Sequence, residues 1–370
     1  MRMLRDQEWD TVLVAVVGLL LIFGLVMISS AGVIYSQTRF GDEYFFFKRQ
    51  FFYGVIPGLL ALFATSKLDY RIWKKFAVPF FFAAIIFLIL VFVPGIGSRI
   101  YGASRWIQLG PLSFQPSEMA KLAVILYLAA WLESRGTHRI KDFFEGLVPF
   151  AGIMGAIAFL IMKQPDTGTM GVIMLSACAI FFVSGARLAH IGALASAGIL
   201  GLAILVKIEP YRFNRILAFL DPGSDPQGIG YQINQALIAV GSGGILGVGL
   251  GRSSQKFNYL PEPVGDSIFA VIGEELGMIG ALILVTLFIM LAMRGLRIAK
   301  NAPDEFGKLV AVGITTWIVA QAFINISANI ALVPLTGIPL PFVSYGGTSL
   351  MFLLASVGIL LNISKQTKIN

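Results

Sequence analysis

The sequence has few of the residues that most often carry enzyme chemistry in soluble proteins. Its 370 residues include one cysteine, Cys178, and two histidines, His138 and His190. A single cysteine excludes an internal disulfide and a cysteine-based metal cluster, and its place in an apolar run favours a packing role. Two histidines in short loops exclude a histidine-based metal site. They also argue against a histidine general base.

Charge is also scarce in this sequence. Only 13% of the residues are charged and 57% are hydrophobic, with a mean hydropathy of +0.82. A soluble domain carries nearly twice that charged fraction. The net charge is +8, but no basic run has interleaved aromatic residues, so nucleic acid is not an expected partner. The scattered basic residues are better interpreted as orientation signals and contacts to anionic membrane lipids.

Ten apolar runs dominate the chain. Most are close to the roughly 20 residues that a helix needs to cross a bilayer. They predict one all-α, polytopic membrane domain over residues 1–370, with about ten transmembrane helices and a first helix that is retained. The runs cover approximately residues 11–31, 50–66, 76–95, 116–133, 144–163, 167–184, 191–207, 266–292, 309–331 and 346–363.

Lysine and arginine positions predict the orientation. With the N-terminus inside, interior segments hold sixteen of these residues and the opposite short loops hold six. Because cytoplasmic loops are enriched in Lys and Arg, both termini are expected in the cytoplasm. The segments 96–115, 208–265 and 332–345 then lie outside, and 208–265 is the large extracytoplasmic loop between the seventh and eighth helices.

Two outer stretches have unusual composition. Residues 332–345 include Pro334, Gly337, Pro339 and Pro341. Such a segment cannot be a continuous helix, so at membrane depth it must line a cavity or pack on protein. The glycine-rich stretch 241–251 lacks the GK[ST] ending of a phosphate-binding loop, and we interpret it as re-entrant or tightly turning backbone.

Several polar residues lie inside the predicted spans, where each needs a reason. Glu118 and Lys121 are three residues apart and share a helix face. They form either a self-neutralising pair or a cationic site for an anionic substrate, with Glu118 holding Lys121. Adjacent carboxylates at 274 and 275 have either a structural or a proton-relay role. The residues Gln321, Asn325 and Asn329 form one polar stripe, which favours interhelical hydrogen bonds.

Outer carboxylates are the candidates for a general base. Asp166 is in a position to cap the sixth helix, and Asp221 and Asp225 fit Asx-type turns. Asp266 starts the long eighth helix after a proline-rich entry. It either caps that helix or is partly desolvated at the membrane boundary, which raises the pKa of a carboxyl group and suits a general base.

Five groups of motifs occur in order along most of the chain. They are residues 104–107 (SRWI) with 115–121 (QPSEMAK), 164–169 (QPDTGT), 225–232 (DPQGIGYQ), 259–266 (YLPEPVGD) with 269–277 (FAVIGEELG), and 339–347 (PLPFVSYGG). Together they resemble the SEDS family (shape, elongation, division and sporulation). Residues 249–256 (GLGRSSQK) and Pro334 with Thr336-Gly337 look like its cell-division branch, FtsW, and the elongation branch, RodA, is the alternative.

The resemblance implies a function and a set of partners. SEDS proteins are ten-span peptidoglycan glycosyltransferases of the bacterial cytoplasmic membrane, which polymerise lipid II on its outer face. They work with a class B penicillin-binding protein, a transpeptidase, and with other divisome proteins. Here Gly265-Asp266-Ser267 stands where many members have Thr-Asp-Phe. Asp266 itself is present, so we do not expect this departure to prevent catalysis.

The resemblance also implies site residues, with Asp266 as the catalytic carboxylate. An α-linked donor gives a β-linked product by one inverting displacement with one base, and Asp266 is expected to take the proton. Lys121 and Arg105 are candidates to meet the leaving pyrophosphate, with a possible divalent cation, Mg²⁺ or Mn²⁺. Trp106 either stacks on a sugar or anchors at the interface. The other substrate-binding candidates are Glu118, Asp166, Glu262, Ser344, Tyr345 and Gly346.

Two other function classes fit some of these features. A lipid II flippase needs a continuous polar path across the membrane, whereas a polymerase needs a polar cluster at the outer boundary. The outer positions of Glu118, Lys121, Asp166 and Asp266 favour the enzyme. The deeper polar residues of the eighth and ninth helices keep the flippase open. A scaffold that only binds division proteins is the third alternative.

Overall fold

The computed structural model describes residues 9–100, 103–110, 112–224, 228–257 and 259–367. Helices account for most of these residues, and short strands form one small sheet. The elements are α1 Thr11–Ala31, α2 Val33–Phe40, α3 Phe45–Gln50, α4 Ile56–Lys67, α5 Arg71–Leu90, β1 Gly97–Ile100, β2 Ala103–Leu109, β3 Leu112–Phe114, α6 Pro116–Ile140, α7 Val148–Lys163, α8 Thr167–Val183, α9 Leu188–Ile208, α10 Pro210–Leu220, α11 Ile229–Ser242, α12 Ile268–Lys300, α13 Glu305–Asn329 and α14 Gly347–Gln366.

Seven helical segments in the described ranges are long and apolar enough to cross a membrane. They are α1, α5, α7 with its preceding π-helical turn, α9, α12, α13 and α14. The other three apolar runs are helical too. A π-helical turn joins α3 to α4, α8 has 17 residues, and α6 is long but carries charged residues. The chain is therefore an all-α, multi-pass membrane protein, as its composition and apolar runs predict.

Helix ends differ from the apolar runs where helices extend past the apolar core. The third span was predicted at 76–95, but α5 covers Arg71–Leu90. Its first turn is basic, so the apolar run does not include it. Its C-terminal end is followed by turns that include Pro94 and Gly95, where φ is +87°. Similarly, α12 continues to Lys300, well past the end of the apolar run at 292.

A small sheet occupies the segment 96–115, which the all-α prediction did not include. Its three strands are antiparallel in the order β1-β2-β3, with Ser98 opposite Trp106 and Ile107 opposite Phe114. Strands this short give little periodic signal in a sequence. The Thr348 hydroxyl of α14 donates to the Ser113 carbonyl at 2.7 Å, which joins the sheet to the helical bundle.

The segment 208–265, predicted as a long loop, folds into helices α10 and α11 followed by a glycine-rich turn. This turn pairs with α12 where Gly277, with φ +65°, interrupts the helix. The amides of Val248 and Gly249 donate to carbonyls of α12 at 2.9 and 3.0 Å. Only glycine fits at 277, because a Cβ there would lie 2.3 Å from the Gly247 nitrogen. The prediction of tightly turning backbone at 241–251 is consistent with this arrangement.

The adjacent carboxylates of α12 hold this loop in place. Glu275 pairs with the Lys256 ammonium at 2.8 Å and accepts from the Ser30 hydroxyl of α1. Glu274 accepts from the Ser254 amide at 2.8 Å and from the Ser253 hydroxyl. Both carboxylates are buried, so their hydrogen-bonding partners offset the cost of burying their charge. Of the two predicted alternatives, this geometry favours the structural role.

The helices differ strongly in burial. In the most apolar 18-residue stretches of α13 and α14, 72% of the residues are buried inside the protein, whereas the corresponding stretch of α9 has 0% buried residues. The helix α13 packs against α6, α8 and α12. The polar stripe of α13 therefore lies in the interior of the bundle, while α9 faces outward along its length.

Candidate active site

Asp266 lies in the last turn before α12, which begins at Ile268. Ser267, the residue immediately before the helix, makes no side-chain capping hydrogen bond, and the Asp266 carboxylate does not cap the helix either. The capping alternative for Asp266 is therefore wrong. Instead, its main-chain carbonyl accepts hydrogen bonds from the Asn325 and Asn329 amides of α13, both at 2.8 Å. Two side chains of the polar stripe thus fix the backbone of this residue.

The Asp266 carboxyl group has a shifted pKa. Its burial, followed by the charge of Glu262, raises the pKa from 3.8 to about 6, while Arg215 and the Gln232 side chain oppose this shift. Its Oδ1 atom is buried and accepts no hydrogen bond from the residues that the structure describes. A carboxylate that is ionised near neutral pH and retains a free acceptor atom is suited to take a proton.

A tight turn connects Glu262 to Asp266. Glu262 has a positive φ of +48°, and its carbonyl accepts from the Gly265 amide at 3.0 Å and the Ser267 amide at 3.3 Å. These bonds hold the two carboxylates at either end of one short turn. This proximity explains why the charge of Glu262 acts on the pKa of Asp266.

The predicted residues Ser344, Tyr345 and Gly346 adjoin this turn. The Ser344 hydroxyl donates to the Gly265 carbonyl at 2.7 Å, and the Tyr345 amide donates to the Val264 carbonyl at 2.8 Å. Gly346 stands immediately before α14. The structure therefore brings these residues together with Asp266, and the contacts of the first two are hydrogen bonds that hold the turn.

Glu118 and Lys121 form a buried ion pair in α6. The Lys121 ammonium lies 2.8 Å from Glu118 Oε1 and 2.8 Å from Gln321 Oε1, with the Trp317 ring 4.9 Å away. The two charged side chains are 3% and 1% exposed, which matches the self-neutralising alternative. The Gln321 amide also donates to the Pro339 carbonyl at 2.9 Å, so the pair connects to the segment 332–345.

Arg105 contacts the turn that contains Asp166. Its guanidinium donates to the Gln164 carbonyl at 2.9 Å and to the Pro165 carbonyl. Asp166 Oδ1 accepts from the Thr169 amide at 3.2 Å, which confirms the prediction that it caps this helix. Its Oδ2 atom is buried without a hydrogen-bond donor among the described residues. Trp106 lies beside Arg105 on β2 and is partly exposed, so both of its predicted roles stay open.

The non-helical segment 332–346 joins these clusters. At the start of α8, Gly168 permits close approach, since a Cβ there would lie 2.5 Å from Ile338 Cγ2. Asn325 donates to the Ile338 carbonyl at 2.8 Å. At Gly337, where φ is +70°, a Cβ would lie 3.8 Å from Asp266 Oδ2. The proline- and glycine-rich sequence thus packs on protein, as predicted, and Gly337 also lies close to the candidate base.

Sequence reasoning gave no site role to two residues near Asp266. For Asn325 and Asn329 it predicted interhelical hydrogen bonds, but not their contact with Asp266. Arg215 and Gln232 lie on α10 and α11, within the segment that was predicted as a loop. Arg215 donates to the Leu335 carbonyl at 3.0 Å. The polar faces of these two amphipathic helices were the available signal.

Asp221 makes the predicted Asx turn with the Gly223 amide at 3.1 Å, and Asp225 lies outside the described residues.

A second feature near the site is an apolar groove of about 420 Å³ between α3–α4, β3 and α14. Phe52, Ile56 and Met351 form part of its wall, with Arg49 and Tyr345 also lining it. Such a groove suits an acyl or isoprenoid chain, and Arg49 gives its wall a positive charge. Tyr345 connects it to the turn that holds Asp266.

The residue types that hold metal ions are dispersed in the part of the chain that the structure describes. No group of three or more His, Cys, Asp or Glu side chains gathers there in a way that could hold an ion. Near Asp266 the nearby carboxylate is Glu262, and the Arg215 charge acts on the same group. These residues do not make a resident metal site.

The chain is similar to known proteins over nearly its whole length. The family model for FtsW, RodA and SpoVE cell cycle proteins matches residues 10–369. Stage V sporulation protein E of Bacillus subtilis is 45% identical over 360 residues, covering 97% of this chain and 98% of that protein. A probable peptidoglycan glycosyltransferase FtsW of Geobacter sp. strain M18 is 41% identical over 366 residues, covering 99% of each.

Solved structures show the same fold. A chain of a peptidoglycan synthase complex, from work on the coordination of polymerization and crosslinking, has a TM-score of 0.80 and 29% identity. Rod shape determining protein RodA of Thermus thermophilus has a TM-score of 0.71 and 28% identity. Each match covers 98% of this chain and 99% of the other. The chain belongs to the FtsW, RodA and SpoVE family of cell cycle proteins, which confirms the resemblance to the SEDS family.

Proposed function

We propose that this protein is a peptidoglycan glycosyltransferase that polymerises lipid II, with Asp266 as its general base. The observation that carries this proposal is a carboxylate of raised pKa, fixed by Asn325 and Asn329 at the end of a membrane helix. Full-length relatives that are 40–41% identical bear the name peptidoglycan glycosyltransferase. Both observations favour the same reaction class.

The proposed orientation places the site outside the cytoplasm. The distribution of Lys and Arg supports cytoplasmic termini in the bacterial cytoplasmic membrane. Asp266 stands at the start of the eighth apolar run and, in this orientation, faces the extracytoplasmic side. The apolar groove beside Tyr345 opens at the same end of the bundle, where a lipid tail reaches it from the outer leaflet.

The proposed reaction is a single inverting displacement. The acceptor sugar hydroxyl attacks the anomeric carbon of the donor sugar while its proton passes to a carboxylate oxygen of Asp266. One carbon–oxygen bond forms, the bond to pyrophosphate breaks, and the lipid-linked pyrophosphate leaves with the electron pair. Holding both lipid-linked partners in the membrane plane reduces the entropic cost of bringing them together.

The cation that meets the leaving pyrophosphate is still a prediction. Arg105 donates to two main-chain carbonyls, and Lys121 is neutralised by Glu118. Each candidate therefore has to exchange a protein contact for a phosphate contact. A divalent cation remains a further prediction, and it is tested by adding EDTA and then restoring Mg²⁺ or Mn²⁺. Full activity of the chelated protein would remove the cation from the proposal.

The proposed partner is a class B penicillin-binding protein. The solved chain with a TM-score of 0.80 belongs to a peptidoglycan synthase complex that coordinates polymerization and crosslinking. A polymerase of the same fold requires a crosslinking enzyme to complete the wall. We expect co-purification with such a transpeptidase and higher polymerisation in its presence, together with recruitment by other divisome proteins.

The contacts of the deeper polar residues support the enzyme over a flippase. A flippase needs polar groups that are available along a path through the membrane. Here Glu274 and Glu275 hold the 253–256 segment, and Gln321 holds Lys121 and Pro339. These side chains form internal hydrogen bonds instead of lining a path. A pure scaffold would not need a fixed carboxylate with a raised pKa.

The test uses purified protein, its penicillin-binding partner and labelled lipid II. Polymerised glycan is expected with the wild type and absent with Asp266→Asn, because the amide cannot accept the proton. Asp42→Asn is the matched control, since Asp42 is an exposed outer carboxylate that pairs with Lys48. Equal polymer yield from Asp266→Asn and the wild type would overturn the assignment of the base.

The branch of the family sets the cellular role, and we propose septal wall synthesis. The named relatives include FtsW proteins, a sporulation protein and RodA structures. Depletion is expected to give filaments, because division then stops while growth continues. Round cells on depletion would assign the elongation role instead. A defect confined to spore formation would assign the sporulation role.

A further inference from the structure

A second cavity adjoins the turn that leads to Asp266, because Glu262 lines it. Its volume is about 390 Å³, which is within the range of small-molecule sites. Its wall comes from α2, the first turn of α11 and the segment 259–263. We refer to it as the tyrosine cavity, because Tyr35, Tyr231 and Tyr259 all line it.

Polar groups of the tyrosine cavity suit a neutral, hydroxyl-rich ligand. Thr38, Arg39 and Glu262 line it together with the three tyrosines. A tyrosine offers an apolar ring face and a hydroxyl, which match the C–H face and the hydroxyl groups of a sugar ring. The Glu262 carboxylate accepts hydrogen bonds from sugar hydroxyl or acetamido N–H groups, and its charge repels a pyrophosphate. Arg39 lies 4.5 Å over the Tyr35 ring and adds donors to the rim.

Two chain segments connect this cavity to the candidate base. Tyr231 lines the cavity, and the next residue, Gln232, donates to the Ser267 hydroxyl at 3.1 Å. Glu262 also lines it, and the turn from Glu262 leads to Asp266. The cavity is thereby fixed relative to the carboxylate from two directions. A ligand bound there is held at a defined distance from the reacting hydroxyl.

The two cavities differ in chemistry. The groove beside Tyr345 has a mostly apolar wall that includes Phe52, Ile56 and Met351. The tyrosine cavity has comparable polar and apolar surface, with carboxylate, guanidinium and phenol groups. A lipid-linked sugar has a hydrocarbon end and a saccharide end. The groove matches the first and the tyrosine cavity matches the second.

We propose that the tyrosine cavity is a carbohydrate subsite, which binds saccharide units of the glycan strand near Asp266. This inference rests on the proposed glycosyltransferase function and adds to it a binding site with its ligand class. It predicts that the protein holds the growing strand by its sugars as well as by its lipid. Loss of the subsite is expected to give shorter strands, because the strand then dissociates more often between additions.

The first test measures binding without turnover. Soluble, uncrosslinked glycan strands released from peptidoglycan are titrated calorimetrically into the detergent-solubilised protein. Tyr259→Ala is the main variant, because Tyr259 is 56% exposed and its removal leaves the core intact. The expected loss of affinity is roughly tenfold, the equivalent of about 1.4 kcal/mol. Tyr259→Phe, which retains the ring, is expected to lose less.

The matched control is Tyr44→Ala. Tyr44 is 48% exposed on the same outer face and lines neither cavity. It is expected to bind the strands with wild-type affinity. Equal affinity of the wild type, Tyr259→Ala and Tyr44→Ala would overturn the subsite, and so would the absence of binding by the wild type.

The second test separates this inference from the proposed function. In the polymerisation assay, Tyr259→Ala is expected to raise KM and shorten the product with little change in kcat. Asp266→Asn is expected to bind glycan strands like the wild type and to make no polymer. Wild-type polymerisation with unchanged product length in Tyr259→Ala overturns the subsite alone. Strand binding that depends on Tyr259, in a protein that makes no polymer, supports the subsite and overturns the proposed function.

Discussion

The Asn325 side chain of α13 donates a hydrogen bond of 2.8 Å to the main-chain carbonyl of Asp266. The same amide nitrogen donates to the Ile338 carbonyl, also at 2.8 Å. One buried side chain therefore ties the candidate base to the non-helical segment 332–346. Asparagine suits this position because its amide nitrogen can donate to both the Asp266 carbonyl and the Ile338 carbonyl, which need hydrogen-bond donors where water is excluded.

Asn325→Ala is expected to lower polymerisation more than it lowers folding. It leaves two carbonyls without this donor, at a cost of about 1–3 kcal/mol, and it allows the Asp266 turn to shift. We expect kcat to fall by roughly ten- to a hundredfold, since small misplacements of a catalytic group are costly. KM for lipid II should change little. The measurement is steady-state polymerisation together with thermal unfolding.

Asn362→Ala is the matched control for Asn325→Ala. Asn362 is a buried residue of α14 that bonds to the Tyr70 amide and the Ser66 carbonyl, both at 2.9 Å, at the other end of the bundle. It is expected to lose comparable stability but to keep its kcat per folded molecule. An equal fall in kcat in the two variants would show that Asn325 acts through general stability.

The pH dependence of polymerisation should show the ionisation of Asp266. Its pKa is raised to about 6, and only the ionised form accepts a proton. Activity is therefore expected to fall as the pH falls through about 6. Because the folded protein binds this proton more tightly than the unfolded chain does, protonation of Asp266 as the pH falls through about 6 favours the folded state, so the loss of activity is not caused by unfolding at this group. Rates and thermal unfolding are measured from about pH 5 to about pH 8, a range that brackets this pKa.

Two neighbours of Asp266 are expected to shift the acid limb of the pH profile, the pH range in which activity falls, in opposite directions. The Glu262 charge raises the pKa of Asp266, so Glu262→Gln should move the limb to lower pH. The Arg215 charge lowers that pKa, so Arg215→Gln should move it to higher pH. Glu43→Gln, a change of an exposed carboxylate, is the control. Shifts of the same sign in both variants would contradict the assignment of the limb to Asp266.

Changes to the Lys121–Glu118 pair test whether it is a self-neutralising structural pair or a cationic site for an anionic substrate. Lys121→Met leaves Glu118 buried without its partner and is expected to destabilise the protein by about 3–5 kcal/mol. The double change Glu118→Gln with Lys121→Met should recover most of that stability, because no uncompensated charge remains. Recovery of polymerisation by the double variant would make the pair structural. Stable protein that polymerises poorly would support Lys121 as a contact of the pyrophosphate.

Gly277→Ala is expected to destabilise the protein and release the loop 244–249. Gly277 has φ +65°, and a Cβ there would lie 2.3 Å from the Gly247 nitrogen. The loss should exceed about 1 kcal/mol. Gly152→Ala on α7 is the control, because no atom within 4 Å of its added Cβ opposes it. Thermal unfolding that is unchanged in both variants would contradict the strained geometry at Gly277.

Sequence periodicity and composition were sufficient for the architecture. A helix that crosses a membrane must satisfy its own backbone hydrogen bonds and present apolar side chains, so its signal is local and long. The ten apolar runs each correspond to a helical segment, although the run at 76–95 was shifted from Arg71–Leu90. The small sheet and the helices α10 and α11 gave weaker local signals and were not predicted.

The motifs identified Asp266, Asp166 and the 344–346 segment, but their contacts depend on residues far apart in the chain. Asn325 is 59 residues from Asp266, and Lys121 is 200 residues from Gln321. A local pattern does not specify which buried donor meets which carbonyl, because only packing of the bundle sets those distances. The sequence by itself determined the membrane fold and the chemical candidates. Only the tertiary structure decided the surroundings of Asp266. Its carboxylate does not cap α12, and side chains of α13 hold its main-chain carbonyl. Burial beside a second carboxylate raises its pKa.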